Sequence, residues 1–276
     1  MNAPYISPVS EASEKIRRFV YDKSGIQLGA DKDYLLESRL LPIMLEKELS
    51  DLDGLVKMVF AAPDELGQRV IEAMATNETY WFRDPAMWQA IQDVLLPQWR
   101  EKHKKGEVVD VWSAACSLGQ EPFSLGIVLL EEAADLVGKI RICASDVSEQ
   151  NLAHAQEAKY HDIYMSRGLQ LRHRRWFQEC TPGMLELNKR VLNQVFFFQH
   201  NLLYLRRQDK LNDLVLLRNV LMYFDEKIEQ KVVSLVSKTL AKDGVLVIGA
   251  TERLKNPQQY GLRLETHGRV HWYRKS

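Results

Sequence analysis

The sequence predicts an α/β protein in which a mainly parallel sheet carries helices on both faces and follows a small all-helical module. Two observations support this prediction. Up to about residue 75, apolar residues recur at helical spacing, whereas after Gly106 short apolar runs of strand length alternate with longer amphipathic segments. Such alternation is typical of a parallel sheet whose crossover helices cover its faces.

The overall composition limits the class of protein. The 276 residues include 37 basic and 37 acidic side chains, so the formal net charge is zero and neither nucleic-acid binding nor binding to an anionic membrane is predicted. Three dispersed cysteines without a CxxC pair argue against a disulfide framework, and no histidine spacing indicates a metal site. No apolar run approaches the roughly 18 residues of a membrane span. The N-terminus has no signal pattern, so we expect a cytoplasmic protein.

The N-terminal module is predicted to contain four helices. The first ends at Gly25, and the second begins near Asp31. Pro42 lies inside the second helix and is expected to kink or split it. Two more helices are predicted over 52–60 and 64–74.

The segment Thr76–Trp88, TNETYWFRDPAMW, joins this module to the rest of the chain. It concentrates polar and aromatic side chains without helical or strand periodicity. Asp84 and the proline after it then provide an N-cap acid and a first-turn proline for a linking helix of about residues 85–103. The predicted domains are therefore residues 1–84 and residues 85–276.

The second domain contains the alternating elements. Strands are predicted at EVVDVWSAA, KIRICASD, VFFFQHN, DLVLLRNV and GVLVIGATE, with helices between them and a final hairpin that turns at Gly268. A piece of about residues 161–195 interrupts this alternation. Its turn at Pro182–Gly183, between short alternating stretches, predicts a small inserted β-subdomain with a hairpin.

The carboxyl ends of the predicted strands are the expected ligand site of an open parallel sheet. The first strand leads through Gly119 to Glu121 at a helix start, and the second ends at Asp146, where an acid commonly holds ribose hydroxyls. The loop lacks repeated glycines and presents an acid, which favours a nucleoside with a positive amino group over a pyrophosphate. S-adenosylmethionine is such a ligand. The other two strand ends carry Asn201, Leu202, Arg218 and Asn219.

Several of these residues also have a plain structural interpretation. Asp146 is able to cap the following helix, and Glu121 is able to complement the helix dipole. Arg218 is equally typical of an ion pair at a strand end. Trp81 and Phe82 are more typical of packing than of chemistry.

Five motifs taken together resemble the CheR-type chemotaxis protein methyltransferases. They are TNETYWFRD, WSAACSLGQEPFSLGI, ASDVSEQNLAHA, NLL and LRNVLMYFD, in that family's order and over nearly the whole chain. The resemblance implies a Rossmann-like S-adenosylmethionine-dependent methyltransferase domain with a small inserted β-subdomain, preceded by an all-α N-terminal module. It implies methylation of glutamate side chains in the cytoplasmic domain of methyl-accepting chemotaxis receptors. S-adenosyl-L-methionine would be the cofactor and S-adenosyl-L-homocysteine the product.

Residue by residue, the resemblance implies a cofactor site and a site of methyl transfer. The cofactor contacts carried over are Asn77, Thr79, Arg83, Glu121, Asp146, Asn201, Leu202, Arg218 and Asn219. Among them, Glu121 would meet the amino acid tail, Asp146 the ribose, and Asn201 with Leu202 the adenine. Arg83 and Tyr223 are carried over as the residues beside the transferable methyl group. No metal site is implied.

The sequence departs from the family's pattern at two places. Gln120 replaces the first of two acids before a proline, and the last strand ends in GATE instead of Gly-His-Ser-Glu, although Glu252 is kept. The short hairpin at Pro182–Gly183 leaves docking of a receptor tail peptide open. Two other functions also stay open: methylation of another protein or a small molecule, and a non-catalytic signalling module that binds S-adenosylmethionine.

Overall fold

The computed structural model describes residues 10–29, 33–206 and 210–276. The chain divides into a helical unit, which ends at Thr76 and also includes Tyr223–Glu229, and a larger unit of Asn77–Met222 and Gln230–Ser276. The division lies ahead of the predicted boundary at residue 84, because the side chain of Trp81 packs inside the larger unit. Among the described residues, no helix is both long and apolar enough to span a membrane.

The helical unit contains the four predicted helices. They are α1 (Glu11–Ser24), α2 (Asp33–Glu46), α3 (Leu52–Ala61) and α4 (Leu66–Met74). The Ser10 side chain caps the start of α1, and Gly25 ends that helix in the left-handed region with φ 77°. The chain stays helical through Pro42 to the end of α2, so a split at this proline does not occur. The predicted helix start near Asp31 lies outside the described residues.

The larger unit is built on a seven-stranded sheet and a smaller three-stranded sheet. The ten strands are β1 (Val109–Ala114), β2 (Ile140–Asp146), β3 (Lys159–His161), β4 (Phe177–Thr181), β5 (Met184–Leu187), β6 (Val195–Gln199), β7 (Asn212–Leu217), β8 (Leu240–Ile248), β9 (Leu262–His267) and β10 (Val270–Lys275). The large sheet has the order β6-β2-β1-β7-β8-β10-β9. Its first five strands are parallel, and β10 runs antiparallel to both neighbours. This arrangement confirms the predicted α/β fold.

The helices of the second domain either precede β1, as α5 and α6 do, or lie between successive strands. They are α5 (Pro85–Ala90), α6 (Leu96–Lys104), α7 (Gln120–Glu132), α8 (Glu149–Glu157), α9 (Lys189–Leu192) and α10 (Glu226–Ser237). A π-helical turn, Ile91–Leu95, joins α5 to α6, so the linking helix is continuous. Pro97, the second residue of α6, has no N–H to donate to this widened turn. Helices α7 and α8 pack against β2 and β6, and α6 packs against β1.

The inserted β-subdomain, called the insert below, comprises residues 159–188. Its three strands are antiparallel in the order β3-β5-β4. Strands β4 and β5 form the predicted hairpin, which turns at Pro182–Gly183 with Gly183 at φ 76°. Two 3₁₀ turns, Asp162–Met165 and Leu171–Trp176, connect β3 to β4.

Candidate functional site

The loop after β1 forms the first wall of the candidate site. Strand β1 pairs with both β2 and β7, so the carboxyl ends of these three strands meet at one edge of the sheet. Ala115, Ser117 and Gly119 have φ of 60°, 50° and 87°, which makes the turn into α7 sharp. A Cβ on Gly119 would lie 2.9 Å from the Ala155 Cβ, so only glycine fits this close approach.

Asp146 ends β2 and holds the loop after β1. Its Oδ2 accepts a hydrogen bond from Ser117 N at 2.8 Å, and its Oδ1 accepts from Ser148 N at 3.0 Å and Asn151 Nδ2 at 3.3 Å. Burial raises the pKa of the Asp146 carboxyl, and the bonds from Ser148 and Ser117 oppose that rise. The cap of α8 is the side chain of Ser148, which accepts from Asn151 N. Ser148, and not Asp146, is therefore the residue whose side chain caps α8.

Arg218, directly after β7, forms buried ion pairs. Its Nη1 donates to Glu121 Oε2 at 2.7 Å, and its Nη2 donates to Asp84 Oδ2 at 2.6 Å and to Arg83 O at 3.0 Å. The other oxygen of Glu121 accepts from Ser113 Oγ at 2.7 Å. Burial alone would lower the pKa of Arg218, but the carboxylates of Glu121 and Asp84 outweigh it and raise the pKa. Arg218 thus forms the ion pair at a strand end that its structural interpretation predicts.

Asp84 and the proline after it start the linking helix at the predicted positions, but the Asp84 side chain does not cap it. Asp84 occupies the N-cap position of α5 with φ 60°, but its side chain makes no capping hydrogen bond. Its carboxylate pairs with Arg218 instead. An unpaired buried guanidinium would cost more free energy than an uncapped helix end, so the ion pair is favoured.

Asn219 and Glu252 join the ends of β7 and β8. Glu252 Oε2 accepts from Asn219 N at 3.0 Å and from Gly249 N at 2.6 Å, and its Oε1 accepts from Met222 N at 3.3 Å. The backbone of Asn219 is in the left-handed region, with φ 58°. Its Oδ1 is buried and has no hydrogen-bond partner among the described residues. No sequence pattern indicated that Glu252 would accept hydrogen bonds from these three main-chain N–H groups.

The connector, defined as residues 77–84, contains the predicted residues Asn77 and Thr79, and Asn77 contacts the loop after β1. Asn77 Oδ1 accepts from Asn151 Nδ2 at 2.9 Å, and Asn77 O accepts from Ser117 Oγ at 3.2 Å. Because Asn151 also contacts Asp146, Asn77 belongs to the same hydrogen-bonded cluster. Thr79 is half-buried.

Arg83 and the aromatic residues before it have different environments. Arg83 is half-buried, its Nη1 donates to Glu78 O at 3.3 Å, and its Cζ lies 5.3 Å from the ring centroid of Tyr80. Trp81 and Phe82 are buried in the core of the larger unit, as the packing interpretation predicts. The structure therefore separates packing side chains from polar ones within this one segment.

The remaining predicted residues lie on two different units. Asn201 and Leu202 follow β6, where Asn201 Oδ1 accepts from Leu203 N at 2.9 Å and His200 N donates to Asp146 O at 3.0 Å. Asn201 and Leu202 therefore lie next to the end of β2. Tyr223 belongs to the helical unit, where its carbonyl accepts from a main-chain N–H at 2.9 Å. Its predicted catalytic role stays a prediction.

These strand ends fit a cationic nucleoside. The carboxylates of Asp84, Glu121 and Asp146 outnumber the guanidiniums of Arg218 and Arg83, so the local charge is negative and suits a sulfonium and an ammonium group. Each carboxylate oxygen has about two acceptor positions, so Glu121, with one donor on each oxygen, and Asp146 Oδ2, which accepts from Ser117, are able to accept from a ligand. The buried Oδ1 of Asn219 is a further acceptor. Among the described residues, no cluster suited to a metal ion occurs.

Comparison with known proteins agrees with this geometry. The family described as "CheR methyltransferase, SAM binding domain" matches residues 77–268, and "CheR methyltransferase, all-alpha domain" matches residues 11–75. Chemotaxis protein methyltransferase Cher2 of Pseudomonas putida is 33% identical over 90% of this chain and 92% of its own length. Chemotaxis protein methyltransferase 1 of Pseudomonas aeruginosa is 34% identical over the same shares. The chemotaxis protein methyltransferase of Vibrio parahaemolyticus is 34% identical over 86% of this chain and 87% of its own length.

Proposed function

Since this chain belongs to the CheR methyltransferase family and is an S-adenosyl-L-methionine-dependent methyltransferase of chemotaxis, we propose that it methylates glutamate side chains in the cytoplasmic domains of chemoreceptors. The second product is S-adenosyl-L-homocysteine, and the reaction takes place in the cytoplasm. The observation that most supports the proposal is the hydrogen-bonded cluster of Asp146, Asn151 and Asn77 at the strand ends.

The cofactor is held by side chains from three strand ends and the connector. Asp146 receives the ribose hydroxyls at its Oδ2, and Glu121 faces the amino acid tail while Arg218 and Ser113 fix its orientation. Asn219 offers its buried Oδ1 to the same tail. The other contacts are Asn77, Thr79, Arg83, Asn201 and Leu202.

The chemistry asks little of the protein beyond alignment. When bound, S-adenosylmethionine supplies a methyl group activated by its sulfonium. A glutamate carboxylate has a reference pKa of about 4.3, so it is ionised at neutral pH and needs no general base. Arg83 orients the incoming carboxylate through its guanidinium. Tyr223 is the second residue that the resemblance assigns to methyl transfer, and this role stays a prediction. The remaining task is to align the reacting groups and to exclude water.

The proposal is tested by methyl transfer to a purified receptor cytoplasmic fragment. With methyl-labelled S-adenosylmethionine, we expect label on the fragment that mild alkali releases, as a methyl ester requires. A fragment with glutamine at the labelled glutamates should take up none. Label that survives alkali would show that the acceptor is not a carboxylate. Cofactor binding without transfer to any fragment of a receptor panel would favour a non-catalytic module.

A further inference from the structure

The connector follows a backbone path that its own sequence does not favour. Phe82 has φ 49° and Asp84 has φ 60°, in the left-handed region that residues other than glycine rarely adopt. Such a conformation persists only where the surrounding structure holds it. Because the connector also carries Asn77 and Arg83, whatever holds it determines the shape of the cofactor site.

Aromatic side chains of the insert hold the centre of the connector. Trp81 is fully buried and packs edge-to-face against Tyr160 of β3, at 5.1 Å between ring centroids, and against Phe177 of β4, at 5.0 Å. Phe82 stacks on His173, with 4.0 Å between centroids and 20° between planes. The strained residue is therefore fixed by a ring of the insert.

The insert also meets the connector backbone directly. Gly168 has φ 81°, and a Cβ built on it would lie 1.7 Å from Trp81 O. No side chain fits at this position while the two backbones remain where they are. The insert and the connector are therefore in contact through main-chain atoms as well as rings.

Arg167, the neighbour of Gly168, contacts the polar half of the connector. Its Nη1 lies 2.8 Å from Glu78 Oε1, and its Cζ lies 4.0 Å from the ring centroid of Tyr80. The Cζ of Arg83 lies 5.3 Å from the same ring. Tyr80 therefore contacts two guanidiniums, one from the insert and one from the predicted catalytic residue.

We propose that Arg167 is a positioning residue for methyl transfer, which acts through Glu78 and Tyr80 to hold the connector in its cofactor-binding conformation. The proposal rests on the proposed cofactor contacts of Asn77 and Arg83. The side chains of Arg167 and Glu78 are 58% and 60% exposed, so their ion pair contributes little to global folding. It contributes instead to the fraction of molecules in which residues 77–80 of the connector are ordered, and apparent affinity scales with that fraction.

The test compares two arginine variants of the full chain by calorimetric titration with S-adenosylmethionine. Arg167→Ala should bind about three- to tenfold more weakly, the range that one exposed ion pair and one cation–π contact support. Arg174→Ala is the matched control, since Arg174 is an exposed arginine of the same insert, and it should bind like the wild type. Both variants should keep the wild-type melting temperature.

Two further measurements separate a positioning role from a structural one. High salt should narrow the difference between the wild type and Arg167→Ala, because salt screens exposed ion pairs. Glu78→Ala should weaken binding less in the Arg167→Ala background than in the wild type, because the two residues act together. This second measurement decides the question if Arg167→Ala also lowers the melting temperature.

The outcomes distinguish this inference from the proposed function. Equal cofactor affinity of the wild type and Arg167→Ala, or additive effects of the two alanine variants, would overturn the positioning role and leave the methyltransferase site intact. A wild-type chain that binds no S-adenosylmethionine would overturn the proposed cofactor site and the positioning role together.

Discussion

Arg218 Nη2 and Asp84 Oδ2 lie 2.6 Å apart although the two residues are 134 positions apart in the chain. Arg218 follows β7, whereas Asp84 ends the connector. The same guanidinium also binds Glu121 at the start of α7. One buried cation therefore fixes both the connector and the loop after β1 at the edge of the sheet where the cofactor is proposed to bind.

Replacing Arg218 with methionine should destabilise the fold by about 3 kcal/mol, because two largely buried carboxylates lose their counter-charge. Breaking a buried ion pair costs about 3–5 kcal/mol, and we expect the lower end of this range because the Asp84 side chain is 31% exposed. Urea denaturation measures it. The control is Arg100→Met at the exposed pair with Asp135, which should cost less than about 1 kcal/mol. Equal costs for both variants would contradict a buried ionic cluster.

Replacing Gly168 with alanine should lower stability and cofactor affinity more than replacing Gly138 with alanine. Both glycines have positive φ, 81° and 78°, so each substitution carries a left-handed penalty of about 1–2 kcal/mol. A Cβ on Gly138 meets nothing within 4 Å, whereas one on Gly168 collides with Trp81 O. Only Gly168→Ala should therefore lose cofactor affinity as well as stability. If Gly168→Ala and Gly138→Ala had the same cofactor affinity and the same denaturation curve, the contact between the insert and the connector would be contradicted.

Replacing Arg83 with alanine should reduce receptor methylation far more than stability. The side chain is half-buried, and its hydrogen bond to Glu78 O is long, at 3.3 Å. We therefore expect a stability loss of about 0.5 kcal/mol, close to that of a surface substitution. Initial rates of methyl transfer and thermal melting, measured on the same preparation, give the two quantities. A parallel loss of activity and melting temperature would make Arg83 a structural residue.

Cys116, in the loop after β1, should resist alkylation in the folded chain. Its side chain is buried, and burial, with the nearby Asp146 and Glu121 carboxylates, raises the pKa of the thiol well above its usual value. Cys180 is exposed and should react first. Mass spectrometry after brief iodoacetamide treatment distinguishes the sites. Early modification of Cys116 would mean that this loop opens in solution.

The sequence predicts the strand-end residues well but not their partners. Asp146 and Arg218 could be placed because the carboxyl ends of parallel strands always meet at one edge of the sheet. The N-cap position of Asp84 follows from a local pattern, whereas the partner of its carboxylate, Arg218, is distant in sequence and could not be predicted. The hairpin of the insert follows from the turn at Pro182–Gly183. Its packing on the connector depends on tertiary contacts, for which a single sequence carries no signal.

The placement of the cofactor at the ends of β1, β2 and β7 is tested most directly by calorimetric titration of the full chain with S-adenosylmethionine, comparing the wild type with Asp146→Asn. Loss of a charged acceptor for the ribose should weaken binding about 10- to 100-fold, since such hydrogen bonds contribute about 1.5–3 kcal/mol.

The pH dependence of the same titration provides an internal check. Burial raises the pKa of Asp146, so the carboxylate becomes protonated at a higher pH than an exposed aspartate, and wild-type affinity should fall as the pH drops through that raised pKa. The asparagine variant lacks this titration and should show a flatter profile. A folded Asp146→Asn chain with wild-type affinity and the wild-type pH profile would contradict the proposed site.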